Sequence, residues 1–95
     1  MPSRTVTLIN PTGLHARPAK VFAQAAAQSG LPVKVAKGDL TVNGRSVLSV
    51  LTLDCHHGDE ITIEVEGDGA DAVLDDLIDL VESGIGEGTD GEGTA

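Results

Sequence analysis

The run Gly13-Leu14-His15-Ala16-Arg17-Pro18 places an imidazole and a guanidinium directly ahead of a predicted helix start. Proline is favoured in the first helical turn, where its missing N–H costs nothing, and it disfavours helical geometry in the residue before it. Pro18 is therefore predicted to open a helix, with Arg17 as its cap. His15 then lies just outside the end at which free backbone N–H groups and the positive pole of the helix dipole favour an anion. A neutral imidazole nitrogen is nucleophilic at neutral pH. Its attack on phosphorus gives a phosphoramidate that stays reactive toward the next acceptor, whereas a serine ester would be too inert. Charge-assisted hydrogen bonds of about 1.5–3 kcal/mol and a helix terminus of about 0.3–1 kcal/mol would hold a phosphoryl group without trapping it. A lone histidine ahead of a helix is more often an ordinary surface or capping residue; the combination with Ala16, Arg17 and Pro18 carries the chemical reading.

The other reactive-looking residues read more plainly. Ser46 is a good N-cap, worth about 1 kcal/mol. Cys55-His56-His57 has metal-ligating types, but adjacent residues splay in different directions and no second ligand group has zinc-like spacing, so a turn is expected and no metal. The lone Cys55 has no internal disulfide partner. No organic cofactor is called for.

These residues need elements to position them. Thr5 to Ile9 alternates with the period of a half-buried strand, and Asn10-Pro11-Thr12-Gly13 reads as a turn. From Pro18 the apolar residues Val21, Phe22, Ala25 and Ala26 share a helical face that ends at Gly30. A strand through Val33 and Val35 turns at Gly38-Asp39 into a hairpin partner carrying Leu40 and Val42. After Asn43-Gly44, the apolar run Val47 to Leu53 is undecided by periodicity: Ser49 and Thr52 favour a helix, while the valines would suit a strand. Glu60 to Glu66 is a clear strand, and Ala70, Val73, Leu74, Leu77, Ile78 and Val81 form a helical stripe that stops at Gly84. Such elements pack as a two-layer α+β sandwich. Residues 1–84 are read as one domain, and 85–95 as a disordered, acidic, glycine-rich tail.

Composition narrows the function classes. The 95 residues fit one small domain, and Phe22 is the only aromatic, so base-stacking platforms for nucleic acid are missing. The N-terminus lacks the apolar run of a signal peptide and the chain lacks a spanning stretch, so a cytoplasmic protein with no membrane insertion is expected. The net charge of −9 hides an asymmetry: all six Lys and Arg lie within the first 45 residues against the single acid Asp39, and every other acid lies from Asp54 onward. Arg17, Lys20 and Arg45 are candidates for a small basic patch near His15 that would dock onto acidic partner surfaces. An acidic helix and tail keep a small protein soluble, and the acidity also fits a salt-rich cytoplasm.

The run Gly13 to Ala19 resembles the active-site signature of the HPr family, the histidine phosphocarriers of the phosphoenolpyruvate-dependent phosphotransferase system. A second stretch, Arg45-Ser46-Val47-Leu48 continuing through Val50 and Leu51 to Leu53-Asp54, is similar to the family's serine-site pattern, at the usual interval from the first. The likeness covers about Arg4 to Gly84. It implies an open-faced sandwich of a four-stranded antiparallel sheet with three helices on one face, in the order β-α-β-β-α-β-α, and makes Val47 onward a short helix. It also implies that His15 accepts the phosphoryl group on Nδ1, that the N–H groups of Ala16 and Arg17 help hold it, and that Pro18 fixes the helix start. The implied partners are phosphorylated enzyme I as donor and a IIA domain or protein as acceptor, in sugar uptake. The carrier itself would be a monomer that turns over as a substrate, not an independent catalyst. Ser46 matches a serine that in some relatives is phosphorylated by a dedicated kinase, and Leu48 and Leu51 match exposed docking positions. Ser49 stands where relatives often have glycine or another small residue. A regulatory module of the same fold, or a nitrogen-branch carrier, is the alternative that the likeness leaves open.

Overall fold

The computed structural model describes residues 2–9 and 13–85. Along the chain it runs β1 (Ser3–Thr7), α1 (Ala16–Gln28), β2 (Val33–Lys37), β3 (Leu40–Asn43), α2 (Val47–Leu51), β4 (Glu60–Val65) and α3 (Ala70–Glu82). The strands form one antiparallel sheet in the order β1-β4-β2-β3, with Val6 opposite Ile61 and Val35 opposite both Ile63 and Val42. This is the α+β order expected from the sequence.

Period-two alternation decides which face is covered. Val6, Leu8, Val33, Val35, Ile61, Ile63 and Val65 are buried together with Phe22, Ala26, Leu74, Leu77, Ile78 and Val81 of the two long helices. The opposite face carries Thr5, Lys34, Thr62 and Glu64, and the hydroxyls of Thr5 and Thr62 lie 2.8 Å apart across the β1–β4 ladder. Phe22, fully buried, supplies the one aromatic side chain of the core.

Two boundaries differ from the sequence expectation. Helix α1 starts at Ala16, with His15 as its N-cap residue in extended geometry, so Pro18 is the third helical residue and Arg17 is inside the helix. The proline still costs no hydrogen bond, because the third position has no intrahelical acceptor. Its bias against a helical predecessor is overridden by tertiary anchoring: Leu14 is buried and its N–H donates to Cys55 O at 3.1 Å. Ile85, assigned from the sequence to the tail, is instead 1% exposed and belongs to the core. The turn at 10–12 and the tail at 86–95 lie outside the described residues.

Candidate functional site

His15 stands at the entrance of α1 with its side chain exposed. The first N–H in the helix to find an intrahelical acceptor is that of Ala19, donating to His15 O at 2.8 Å. The N–H groups of Ala16 and Arg17 precede it and have no acceptor within the helix. No acidic residue occupies the first turn. The arrangement offers an anion two backbone donors, the positive end of a 13-residue helix and the exposed Arg17 guanidinium.

The histidine loop is bolted to a second segment. Gly13 has φ of +63°, and a Cβ built there would lie 2.5 Å from His56 Cα and closer still to Cys55 O. Only a residue without a side chain allows this approach. The cavity beside His15, about 260 Å³, is lined by Leu14, His15, Ala16, Leu51, Asp54, Cys55 and His56. Asp54 and His56 therefore share a cavity with His15, and the sequence did not single them out as site residues. The signal was present as Asp54-Cys55-His56, polar-apolar-polar, which turns the two polar side chains outward while Cys55 is buried.

Charges order this second segment. The His56 ring approaches Asp54 Oδ1 at 3.3 Å through Nε2 and Asp59 Oδ2 at 3.8 Å through Nδ1. Asp59 also accepts from the His56 backbone N–H at 2.8 Å and pairs with Lys37 Nζ at 3.0 Å. The His56 backbone bond, then Lys37, holds the Asp59 carboxyl below its ordinary range, and the bond to Asp59 holds the Lys37 ammonium above its own. Lys37 Nζ further donates to Asp54 O at 2.8 Å. Burial pushes the Cys55 thiol up to about 11.

The remaining candidates divide between two places. Ser46 is the N-cap of α2, its Oγ accepting from Ser49 N at 3.3 Å. That helix packs against α1. Val50 and Leu53 are buried beneath it, Leu51 is half-buried at the His15 cavity, and Leu48 is 77% exposed. Lys20 is exposed on α1, one turn after Ala16. Arg45 lines a different cavity, about 550 Å³, with Lys34, Thr41 and Asn43. Among the described residues no group of three or more His, Cys, Asp or Glu could hold a metal ion, and no helix is long and apolar enough to cross a membrane.

Known proteins share this construction. The family described as "PTS HPr component phosphorylation site" matches residues 2–83. The phosphocarrier protein HPr of Streptomyces coelicolor is 43% identical over 88 residues, covering 92% of this chain and 95% of the relative. The crystal structure of HPr-C-His from Thermoanaerobacter tengcongensis superposes with a TM-score of 0.87 at 36% identity, covering 92% of this chain and 98% of that one. A crystal structure of an HPr dimer from the same organism gives a TM-score of 0.72 at 36% identity, over 92% of this chain and 100% of the other.

Proposed function

This chain belongs to the HPr family of the phosphotransferase system, and we propose that it carries the phosphoryl group on His15, taking it from phosphorylated enzyme I and passing it to a IIA component in sugar uptake. The observation that carries the reading is the exposed imidazole at the N-cap of α1, ahead of unpaired helical N–H groups and an acid-free first turn.

In the accepting transfer the lone pair of a neutral His15 nitrogen, Nδ1 in the family, attacks phosphorus and the donor's P–N bond breaks with its electron pair returning to the donor ring; in the onward transfer the acceptor's nitrogen attacks and the His15 N–P bond breaks, its electron pair returning to the His15 ring. The N–H groups of Ala16 and Arg17 and the Arg17 guanidinium stabilise the equatorial oxygens. The same contacts are modest enough for the reverse step to a IIA histidine. Leu48 and Leu51 supply the apolar part of the docking face, and Arg17 and Lys20 supply charge for acidic partners. A phosphate on Ser46 would add negative charge on the helix that carries Leu48, and so weaken docking of the donor. The carrier works in the cytoplasm as a single chain.

The test is incubation with phosphoenolpyruvate and enzyme I. Acid-labile, base-stable phosphate is expected on the wild type and on Ser46→Ala, and none on His15→Ala. Equal labelling of His15→Ala overturns the reading.

A further inference from the structure

We infer that Asp54 and His56 form a second, titratable wall of the phosphoryl site: protonated His56 compensates Asp54 and admits the phosphoryl group on His15, whereas neutral His56 leaves the Asp54 carboxylate to repel it. The inference rests on His15 being the phosphoryl acceptor. It assigns positioning roles to two residues beyond the helix end, the serine and the docking face.

Three independent observations meet here. The first is placement: Asp54 and His56 line the same cavity as His15, and the Gly13 approach and the Leu14 N–H to Cys55 O bond lock the two segments together. The backbone that carries His56 is therefore held beside the segment that carries His15. The second is backbone geometry. Asp54 holds φ of +52°, a left-handed conformation unusual for a residue with a side chain, and its side chain is 84% exposed. A non-glycine residue kept in that region costs about 1 kcal/mol or more, and aspartate is one of the few that adopt it. Its carboxylate packs into nothing; its partner is the His56 ring.

The third is the charge arrangement. The groups paired with the His56 ring are Asp54 and Asp59 on its own segment; Cys55 and His57 flank it in sequence, Lys37 from the end of β2 pairs with Asp59, and His15 from the start of α1 lines the same cavity. Asp59 is already matched by Lys37 at 3.0 Å. The buried Cys55 stays a neutral thiol at physiological pH, since burial pushes it up to about 11. What is left is the Asp54–His56 pair, with Asp54 Oδ1 3.3 Å from Nε2 of the ring. Both nitrogens donate only in the imidazolium. Protonated, the pair is neutral; deprotonated, it is a net negative charge on the cavity wall. A phosphoryl group carries up to two negative charges, so it distinguishes the two states strongly.

Linkage makes the effect reciprocal: if protonation of His56 favours phospho-His15, phosphorylation of His15 raises the titration midpoint of His56.

The experiment is an NMR titration of the His56 ring before and after phosphorylation of the full chain by phosphoramidate, which bypasses enzyme I. The midpoint is expected to rise by about half a pH unit, which is about a threefold preference for the protonated wall. In Asp54→Asn, the phosphorylated fraction at pH 8 is expected to rise about threefold over wild type. In His56→Gln, the part of the pH dependence of that fraction that Asp54→Asn also removes is expected to be lost, leaving only the dependence set by His15 and the phosphoryl group themselves. A phosphorylated His15 with an unmoved His56 midpoint overturns the inference and leaves the carrier reading standing. Failure of His15 to take phosphate from either phosphoramidate or enzyme I overturns both.

Discussion

Cys55 and the two residues flanking it show how one side chain can fix the environment of others. With 3% exposure, the thiol anchors the segment that carries Asp54 and His56, and its burial keeps it protonated far above the usual thiol range. The polar-apolar-polar order of Asp54-Cys55-His56 hints at this, but in a stretch read as a turn it does not say how deeply the cysteine is buried; the fold does. The consequence is measurable through stability. In the unfolded chain the thiol ionises near 9, and in the fold only near 11. Between those values the unfolded state binds fewer protons, so stability falls as pH rises, by about 2 kcal/mol across the window. Urea unfolding at pH 8, 9, 10 and 11 is expected to show this decline in wild type and a shallower one in Cys55→Ala. The residual slope in the variant includes Lys37, whose raised value means that its stabilising contact with Asp59 also fades as pH climbs past the ordinary lysine range. Equal slopes in the two proteins would rule out the buried thiol as the cause.

Elements were legible in proportion to how far local pattern decided them. The alternation in β4 and the apolar stripe of α3 gave both within a residue or two of their observed limits, because each buries one face against a single layer. The segment after Ser46 did not yield to pattern, since its valines and its spaced Ser49 and Thr52 point in opposite directions; the family likeness made it a helix, and the fold has α2 there. The start of α1 was placed two residues late, by a proline rule that is local, against an anchor that is not. That anchor is Leu14, bonded to Cys55 O, together with Gly13 before it. The glycine is needed twice over, for its positive φ and for the space against the Cys55–His56 backbone. Gly30, which follows α1, shares the first need with φ of +75° but has open space around its missing side chain. Gly30→Ala is thus expected to cost about 1 kcal/mol and Gly13→Ala about 3 kcal/mol. Urea midpoints at unchanged m-value would measure both. Comparable losses would mean that the close approach at Gly13 relaxes freely, and the coupling of the two loops would go with it.

Across the whole molecule, the separation of basic and acidic residues along the chain is partly undone by folding. Arg4 on β1 pairs with Asp75 of α3, and Lys37 pairs with Asp59, so bases of the first half meet acids of the second. Arg17 and Lys20 stay exposed near the start of α1, outside these pairs. The limit of the folded unit also emerges only at this scale. Gly84, with φ of +95°, ends α3 as its pattern implied, but the chain does not leave the core there. Gly84 N–H donates to Val81 O at 3.0 Å and Ile85 N–H to Leu80 O at 2.9 Å. This pair of bonds is the Schellman closure, which commonly places an apolar residue after the glycine against the last helical turn. Ile85 fills that role, and its burial outweighs the cost of holding a β-branched residue at φ of +51°. Composition hid it, because one isoleucine among glycines and acids reads as tail. A chain ending at Gly84 should therefore be less stable than one ending at Ile85 by about 2 kcal/mol, the transfer value of one isoleucine side chain. Thermal unfolding of the two truncations measures the difference. If the two match, Ile85 contributes nothing to the core and the folded unit closes at the glycine.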